Sequence, residues 1–350
     1  MSKMDETDRK LLNLIQADVP LVPQPFAAIG KDLGISEADV LERIGRLKTE
    51  KIIRQISAIF DTRALGYASS LVAARIPAER LEEAAAVINE HPGVSHNYRR
   101  NDAFNLWFTI AVPPDSRLGL ERTVERLGDL AGAESIRLLP TLRLFKIGVK
   151  LDMTGEGDPA NQTEIPAYTD KERTESLKTP ITEEEIRVIR VIQKDFPIVP
   201  RPYDGLAKAA GLSLDAFLDA ARRFSERRQL RRVAAVLHHR AAGFKANAMG
   251  IWAVPPERVE EVGVTMAGFA AVSHCYLRPT YPDWPYNVFT MVHGRNVDEC
   301  TAILESIAEK TGIREMKALY STREYKKVRV SYFTPETYAW EEKHGSPVPA

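Results

Sequence analysis

Between residues 11 and 47 the apolar side chains recur at helical spacing, in short runs separated by a proline-rich turn and by Gly34. This spacing predicts three short helices. Ser36, followed three positions later by Asp39, has the arrangement of a capping box and marks the start of the third helix. Residues 52–60 then alternate apolar and polar side chains and predict a strand. Three helices with a glycine turn before the third, followed by a strand, indicate a winged helix-turn-helix domain.

The next part of the chain alternates strand and helix patterns in the order β-α-β-β-α-β. We expect these elements at residues 67–76, 79–90, 94–100, 104–112, 118–130 and 135–150, the last being a single long strand. This order is typical of the ferredoxin-like split βαβ fold.

The whole pattern then occurs a second time. Residues 14–26, LIQADVPLVPQPF, reappear at 191–203 as VIQKDFPIVPRPY, an offset of 177. The offset is 178 at the Ser-His pairs 95–96 and 273–274, and 182 at Asn105 against Asn287. Such a drift is what insertions and deletions in loops produce in a duplicated unit.

We therefore predict an α+β fold that is a tandem duplication of a winged helix-turn-helix plus a ferredoxin-like βαββαβ (Lrp/AsnC-like) domain, which resembles the layout of the leucine-responsive regulators. The predicted segments are a helix-turn-helix domain (1–62), a ferredoxin-like domain (63–153), a linker rich in Gly, Pro and charge (154–180), a second helix-turn-helix domain (181–239), a second ferredoxin-like domain (240–333) and a polar tail (334–350). We expect the tail to pack little.

Composition excludes several classes of protein. The 350 residues include 48 Lys and Arg against 48 Asp and Glu, and 44% are hydrophobic, which is typical of a globular chain. Two cysteines, Cys275 and Cys300, are too few for a disulfide framework or a cysteine-based metal site. The polar, acidic start is unlike a signal peptide, and no apolar run approaches the roughly 18 residues that span a bilayer. We expect a soluble, cytoplasmic protein without a membrane partner.

The third helices argue against a sequence-specific DNA reader. Such a helix needs Arg, Lys, Asn or Gln at its N-terminal half. Residues 36–43 hold three acids and one base, and residues 213–220 hold two acids and no base. An arginine cluster at residues 222–232 could contact a nucleic-acid backbone, but an exposed basic face is the simpler interpretation. We therefore expect no sequence-specific DNA binding.

The densest polar groups lie in two predicted β-hairpins, residues 95–108 and 273–289. Because side chains alternate along a strand, His96, Tyr98 and Arg100 share one face, and His274, Tyr276 and Arg278 share one face in the other half. Histidine can donate a proton near neutral pH, and arginine binds carboxylates in a bidentate manner. Either set could also be a solvated strand face or a polar network between the halves. Recurrence in both copies favours a site.

The predicted catalytic residues are those histidines and tyrosines, His96, His274, Tyr98 and Tyr276. Further substrate contacts are expected from the hairpins and from the final strand of each half. The second hairpin carries four extra residues that include aromatic side chains suited to covering a flat ligand, and the second wing ends in a histidine that the first lacks. These predicted contacts are Arg99, Arg100, Asn105, Trp107, Lys146, His239, Arg278, Trp284, Tyr286, Asn287 and Lys326.

The hairpin sequences VSHNYRR…FNLWFT (94–109) and VSHCYLRP…WPYNVFTMVHG (272–294) resemble the two subunit types of the siroheme decarboxylases. The resemblance covers nearly the whole chain except linker and tail, so the chain looks like both subunits fused. It implies removal of the carboxyl groups of two siroheme acetate side chains, giving 12,18-didecarboxysiroheme for heme or heme d1 synthesis. It also implies siroheme as the ligand, no cofactor beyond this iron-tetrapyrrole substrate, no protein-bound metal, and an intramolecular pseudo-dimer, with further homo-oligomerisation open.

On this hypothesis one tetrapyrrole binds between the two βαββαβ sheets. Arginine and lysine side chains hold its carboxylates, His96 or His274 delivers the proton, and Tyr98 or Tyr276 positions that acid. Two other hypotheses remain: an Lrp/AsnC-type DNA-binding transcription regulator that responds to a tetrapyrrole, and a tetrapyrrole carrier without turnover.

Overall fold

The computed structural model describes residues 4–147, 175–237 and 246–345. The first half begins with a helix-turn-helix and its wing, which comprise α1 Glu6–Ala17, α2 Pro25–Leu33, α3 Glu37–Thr49 and β1 Ile53–Phe60. Ser36 and Asp39 form the expected capping box at α3. Gly34 ends α2 with a φ of +69°, a left-handed conformation that glycine adopts without strain. Local sequence signals therefore account for the boundaries of these helices.

The ferredoxin-like unit of the first half follows directly. Its elements are β2 Ala68–Arg75, α4 Leu81–Glu90, β3 Val94–Arg100, β4 Leu106–Val112, α5 Gly119–Ala131 and β5 Ser135–Leu139, and a further strand, β6 Arg143–Ile147, comes after them. One face of this sheet packs on α4 and α5 through a core that includes Val72, Ile88, Phe108 and Leu127.

The second half repeats the order of the first. Its helix-turn-helix and wing are α6 Glu183–Ile192, α7 Pro202–Ala210, α8 Leu214–Glu226 and β7 Leu230–Leu237. Its ferredoxin-like unit consists of β8 Ala246–Trp252, α9 Val259–Ala267, β9 Val272–Leu277, β10 Val288–Gly294, α10 Val297–Thr311, β11 Met316–Leu319 and β12 Ser321–Lys327. The predicted duplicated α+β architecture is confirmed.

The two halves contact each other through their helix-turn-helix domains and through their ferredoxin-like units. The wings β1 and β7 pair antiparallel with each other, and the two helix-turn-helix domains share one apolar core. Each proline-rich turn also donates a backbone hydrogen bond to the wing of the other half, from Val19 to Val233 and from Phe196 to Ile56. The halves therefore form an intramolecular pair.

The last strands of the two ferredoxin-like units are exchanged. The strand orders are β12-β3-β4-β2-β5 and β11-β8-β10-β9-β6, so each five-stranded sheet takes an edge strand from the other half. The expected long strand 135–150 is thus wrong. It breaks after Leu139, where Pro140 has no N–H for a ladder. The chain then crosses to the other sheet, where Leu142 donates to the carbonyl of Leu277. Residues 148–150 lie outside the described ranges.

The open faces of the two sheets meet in a shared core. Its largest side chains are Phe104 and Trp107 from the first half and Trp284 and Phe289 from the second. This inter-sheet core fills the space between the sheets and brings the faces of β3 and β9 together with the opposite half.

The expectation that the tail packs little is also wrong. Residues Pro335–His344 form α11, and Trp340 is 6% exposed, with its ring 4.4 Å from that of His91. Glu341 accepts hydrogen bonds from the Ser116 hydroxyl and from the backbone N–H of Arg117. One buried aromatic among polar residues holds this helix, a signal too short for a periodicity argument. Among the helices of the described ranges, none has the length and apolar character to cross a membrane.

Candidate active site

The strand β3 divides its side chains between two environments. Asn97 faces the helices, because its Nδ2 donates to the carbonyl of Ala85 and to Oδ1 of Asn89. His96, Tyr98 and Arg100 therefore lie on the face that is turned toward the other half. Arg100 confirms this direction, since its Nη1 donates to the carbonyl of Leu319, 3.1 Å away at the end of β11.

The strand β9 has the same arrangement. Cys275 points toward α9, with its Sγ 3.7 Å from the carbonyl oxygen of Gly263. His274, Tyr276 and Arg278 occupy the other face, and Arg278 donates to the carbonyl of Leu139 in the first half. The His and Tyr rings are 5.9 Å apart here and 6.1 Å apart in β3. The structure thus contains two pseudo-symmetric His-Tyr-Arg rows.

Both arginines in these rows carry a buried positive charge. Arg100 is 8% exposed and Arg278 is 9% exposed, and neither forms a salt bridge with any residue of the described ranges. In each, Nε is buried without a hydrogen-bond partner among those residues. Burial lowers the pKa of each guanidinium to about 10. A buried charge without a counter-ion is unfavourable, so each row is electrostatically prepared for an anion.

Aromatic rings offset part of this penalty. The guanidinium carbon of Arg278 lies 5.0 Å from the ring centre of Tyr276 and 5.3 Å from that of Phe289. The corresponding distance from Arg100 to Tyr98 is 5.9 Å. Such contacts contribute about 1 kcal/mol, less than the desolvation of an arginine, and they leave donor groups of the guanidinium able to bind a carboxylate.

The two histidines are neutral at neutral pH. Burial, and secondarily the nearby His293, lower the pKa of His274 to about 4. The pKa of His96 is also lowered, first by burial and then by the positive charges of Lys327 and Arg54. A neutral imidazole has one N–H, so its tautomer decides which nitrogen can donate.

Serine hydroxyls bind one nitrogen of each histidine. Ser95 Oγ lies 3.0 Å from His96 Nδ1 and 2.7 Å from Thr109 Oγ1. Ser273 Oγ lies 2.8 Å from His274 Nδ1 and 2.7 Å from His293 Nε2. With Nδ1 held by the serine, Nε2 is the nitrogen that remains for a ligand.

The tyrosines stay protonated. Burial raises the pKa of Tyr276 to about 12. Burial and the neighbouring carboxylate of Glu324 raise that of Tyr98 to about 12 as well. Both phenols can donate or accept a hydrogen bond, but neither can serve as a base near pH 7.

The surroundings of the two rows differ in charge. In the exchanged edge strands, Lys327 is in register with His96, whereas Ile147 is in register with His274. Arg54 donates to the carbonyl of Lys327, which adds a second cation on the first side. The first row therefore lies in a more basic environment than the second.

The structure places both predicted asparagines at a backbone junction. Asn105 accepts from the N–H of Ile76 at 3.0 Å and donates to its carbonyl at 2.8 Å. Asn287 makes the same pair of bonds with Val254, at 2.9 and 2.8 Å. Their amides are occupied in holding the segment before α4 or α9, which argues against the predicted contact with substrate.

Lys146 and Lys326 lie on the helix-covered face of their sheets, away from both histidines. Lys146 Nζ donates to the carbonyl of Phe269 at 3.0 Å, and Lys326 Nζ donates to that of Asn89 at 2.7 Å. These carbonyls follow or end α9 and α4, where a cation offsets the negative end of a helix. A β-bulge immediately before each lysine sets its direction. The expected role as carboxylate partners does not fit this geometry.

The predicted aromatic cover is instead part of the inter-sheet core. Trp107 and Trp284 are each 1% exposed, and their ring centres are 5.3 Å apart. The insertion is anchored on the opposite half, where Tyr281 donates to the carbonyl of Leu138. Tyr286 is half-buried with the ammonium of Lys317 5.5 Å from its ring. Neither tryptophan can line a ligand pocket in this arrangement.

Arg99 is exposed and points away from the His-Tyr-Arg face. With Arg100, Asn105 and Arg323 it lines an open groove of about 570 Å³ at the tip of the first hairpin. His239 lies outside the described residues. Within the described ranges no group of three His, Cys, Asp or Glu side chains is placed to hold a metal ion.

Sequence reasoning missed Ser95, Ser273 and His293. The first two were visible as the Ser-His pair that recurs in both hairpins. His293 carries no such signal, because its partner Ser273 lies on the neighbouring strand, and a register shift between Met291 and Val292 separates it from the regular pairing.

Comparisons with known proteins place both kinds of domain. A family described as siroheme decarboxylase NirDL-like HTH domain matches residues 8–54 and 185–231, and one described as AsnC-like ligand binding domain matches residues 64–146 and 241–326. A siroheme decarboxylase from Hydrogenobacter thermophilus is 42% identical over 332 residues, which are 95% of this chain and 96% of that protein.

Two further relatives bear on the duplication and on the ligand. A siroheme decarboxylase beta subunit from Methanosarcina barkeri is 42% identical over 146 residues, 42% of this chain and 96% of its own length. A crystal structure of the siroheme decarboxylase NirDL with an iron-uroporphyrin III analogue has a TM-score of 0.77 at 36% identity and covers 97% of this chain and 98% of its own. Less than half of this chain thus matches the whole length of a protein that is a separate subunit elsewhere.

Proposed function

Because the chain belongs to the siroheme decarboxylase family, we propose that it removes the carboxyl groups of two siroheme acetate side chains as a carboxy-lyase and releases 12,18-didecarboxysiroheme. The product would serve heme or heme d1 synthesis. The observation that carries the proposal is the pair of buried arginines that have no counter-ion among the described residues, each in a row with a histidine and a tyrosine. Siroheme is a flat polyanion, and the relative's crystal structure holds an iron-porphyrin analogue.

The arginines perform the binding step. A guanidinium that binds a carboxylate donates two parallel hydrogen bonds, and burial strengthens the pair because water does not compete. Arg100 and Arg278 each supply such a group from the inter-half face. Tyr98 and Tyr276 stand between arginine and histidine, where a phenol can orient a carboxylate or contact the edge of the macrocycle. The remaining basic side chains near His96, Lys327 and Arg54, suit further carboxylates of the same ligand.

The histidines perform the proton step. The bond between the acetate methylene and the carboxyl carbon breaks, carbon dioxide leaves, and the electron pair stays on the methylene carbon, where the conjugated macrocycle delocalises it. A proton from His96 or His274 Nε2 then gives a methyl group, so each decarboxylation consumes one proton. No separate organic cofactor is needed because the substrate accepts the charge. A macrocycle seated on this face would exclude water from it and keep the departing carboxylate positioned.

The deciding experiment is anaerobic incubation of the chain with siroheme, followed by mass analysis of the tetrapyrrole. We expect loss of two carboxyl groups, and we expect H96A or H274A to reduce the rate by about 100-fold, in the range that general acids contribute. His344→Ala, on α11, is the matched control and should retain the normal rate. Near-normal rates in both H96A and H274A would reject the histidine role. Binding without a mass change would make the protein a carrier.

The side chains of α3 do not support the hypothesis of a DNA-binding transcription regulator. The bases of α3 are engaged in ion pairs, since Arg43 and Arg46 contact Asp8 at 2.7 and 2.6 Å. Acids occupy the first turn of α3, at Glu37 and Asp39, which is the part that would face a DNA groove. We propose that the helix-turn-helix domains serve to join the halves. A gel-shift assay at about 0.15 M salt tests this, and a specific shift would contradict it.

A further inference from the structure

The second half contains a hydrogen-bonded chain of two histidines and a serine. It runs from His274 Nδ1 to Ser273 Oγ, a distance of 2.8 Å, and on to His293 Nε2, a further 2.7 Å. His274 and His293 lie on the neighbouring strands β9 and β10, and both are partly exposed. The chain therefore connects the side chain on the inter-half face to a second imidazole nearer the strand end.

The first half has no counterpart of this second imidazole. There Ser95 Oγ contacts His96 Nδ1 and then Thr109 Oγ1, which is a hydroxyl. At the offset of 182 that relates Asn105 to Asn287, the residue that corresponds to His293 is Ala111. A threonine hydroxyl can pass a proton but does not hold an extra one near neutral pH, whereas an imidazole does.

A neutral histidine that acts as an acid needs such a partner. Burial keeps His274 neutral near pH 7, because its pKa lies near 4. When a neutral imidazole gives up its Nε2 proton, it becomes an anion unless Nδ1 receives a proton at the same time. The hydroxyl on Nδ1 can supply that proton only if it is itself reprotonated from its other side.

We propose that His293 reprotonates His274 through Ser273, so that the second-half row is the one that protonates the decarboxylated methylene. This rests on the proposed function. The Nε2 proton of His274 forms the new C–H bond, the Ser273 proton moves to His274 Nδ1, and the Nε2 proton of protonated His293 moves to Ser273. His293 ends neutral and takes a proton from solvent, so one proton enters per carbon dioxide released. His293 does not touch the substrate and acts as a positioning residue.

Charged groups of the described structure lie on the elements beside this hydrogen-bonded chain. Arg278 and Arg63 act on Tyr276, farther along the same face, and Lys146 on β6 is bound to the carbonyl of Phe269. Asn247 is in register with His293 on β8 and is uncharged. In the described part of the chain, His274 and His293 are the titratable side chains within hydrogen-bond distance of Ser273 Oγ.

The test compares two substitutions of His293 in the full-length chain. H293A removes the imidazole, and H293Q keeps an N–H that can donate a hydrogen bond to Ser273 but cannot release a proton. We expect kcat for siroheme decarboxylation to fall by about tenfold or more in both, with KM unchanged, because the step lost is proton transfer. Imidazole added to the buffer should restore H293A, where it can occupy the vacated space, and should leave H293Q slow.

Controls separate the possible failures. His344→Ala should keep the normal kcat, and thermal melts show whether each variant is folded. S273A interrupts the same hydrogen-bonded chain at its middle member, and this variant should be slow and should not be rescued by imidazole. A full rate in H293Q would show that a hydrogen bond suffices and would overturn the inference, as would a full rate in H293A. If the unaltered chain does not decarboxylate siroheme, the proposed function fails, and this inference fails with it.

Discussion

Arg278 provides the sharpest test of whether the buried guanidinium groups bind a ligand or tie the halves together. The perturbation is Arg278→Met, which keeps most of the side-chain volume and removes the charge. If the arginine is held for an anion, the ligand-free protein should tolerate the change and the ligand should not. If it is a structural tie to Leu139, the ligand-free protein should lose stability.

The magnitude follows from the pKa. A base whose pKa is lowered on folding is penalised in its protonated form at every pH below the folded value, which includes pH 7. The shift from 12.5 to about 10 corresponds to roughly 3 kcal/mol of penalty. Replacement removes this penalty but also removes a charged hydrogen bond worth about 1.5–3 kcal/mol and ring contacts worth about 1 kcal/mol. The free energy of unfolding should therefore change by only about 1 kcal/mol.

Ligand binding should respond much more. Loss of a buried charged contact typically costs about 2–4 kcal/mol, which is about 30- to 1,000-fold in affinity. Urea denaturation at pH 7 measures the first quantity and absorbance titration with siroheme the second. Arg295→Met is the matched control, because that side chain is 81% exposed and pairs with Glu299, four residues further along the chain. A loss of more than about 3 kcal/mol of stability with unchanged affinity would refute the reasoning, since that is what breaking a structural buried pair costs.

Two further predictions concern stability. Trp284→Ala should lower the free energy of unfolding, measured in urea, by about 3–5 kcal/mol, because the ring is fully buried against Phe104 and Trp107. Val264→Ala, at an exposed site, is the control and should change it little. Equal effects of the two substitutions would contradict the role of the insertion as core. Burial alone would raise the pKa of Asp8, but hydrogen bonds from Arg46 and Arg43 outweigh it and lower that pKa. The carboxylate thus contributes stability above its unfolded pKa of about 3.9, and this stability is lost as the pH falls through the folded pKa. D8N should lack this pH-dependent contribution to the free energy of unfolding. Superimposable acid-denaturation curves for D8N and the unaltered protein would contradict the prediction.

Local signals predicted much of the architecture. The capping box at Ser36 and the alternation along β3 and β9 depend on residues within a few positions of one another, and the duplication was visible directly as a sequence repeat at an offset of 177. The side chains of His96 and Arg100 could be assigned to one face for the same reason. Such features are encoded over a single turn or strand, where spacing and direction are directly related.

The strand exchange, the direction of the two lysines and the position of Trp284 could not be predicted, because they depend on contacts between residues that are distant in sequence. Residues 143–147 have the same alternation whichever sheet they join, so the exchange of β6 and β12 had only the break at Pro140 as a signal. Lys146 and Lys326 face the helices because of a bulge before each of them, which no hydropathy pattern shows. The composition of the proline-rich insertion is equally compatible with Trp284 lining a ligand pocket and with Trp284 packing in the core. Its position between the sheets decided the matter.

The exchange of edge strands also sets the order in which the chain can mature. The β3 strand ends at Arg100, but its neighbour β12 begins at Ser321. While the chain leaves the ribosome, β3 therefore presents an unpaired edge until nearly all of the second half has been synthesised. Such an edge invites pairing with other nascent chains, and contacts this distant in sequence form slowly. The first half, although synthesised first, is completed last, and its site cannot form before residues 321–327 have been synthesised.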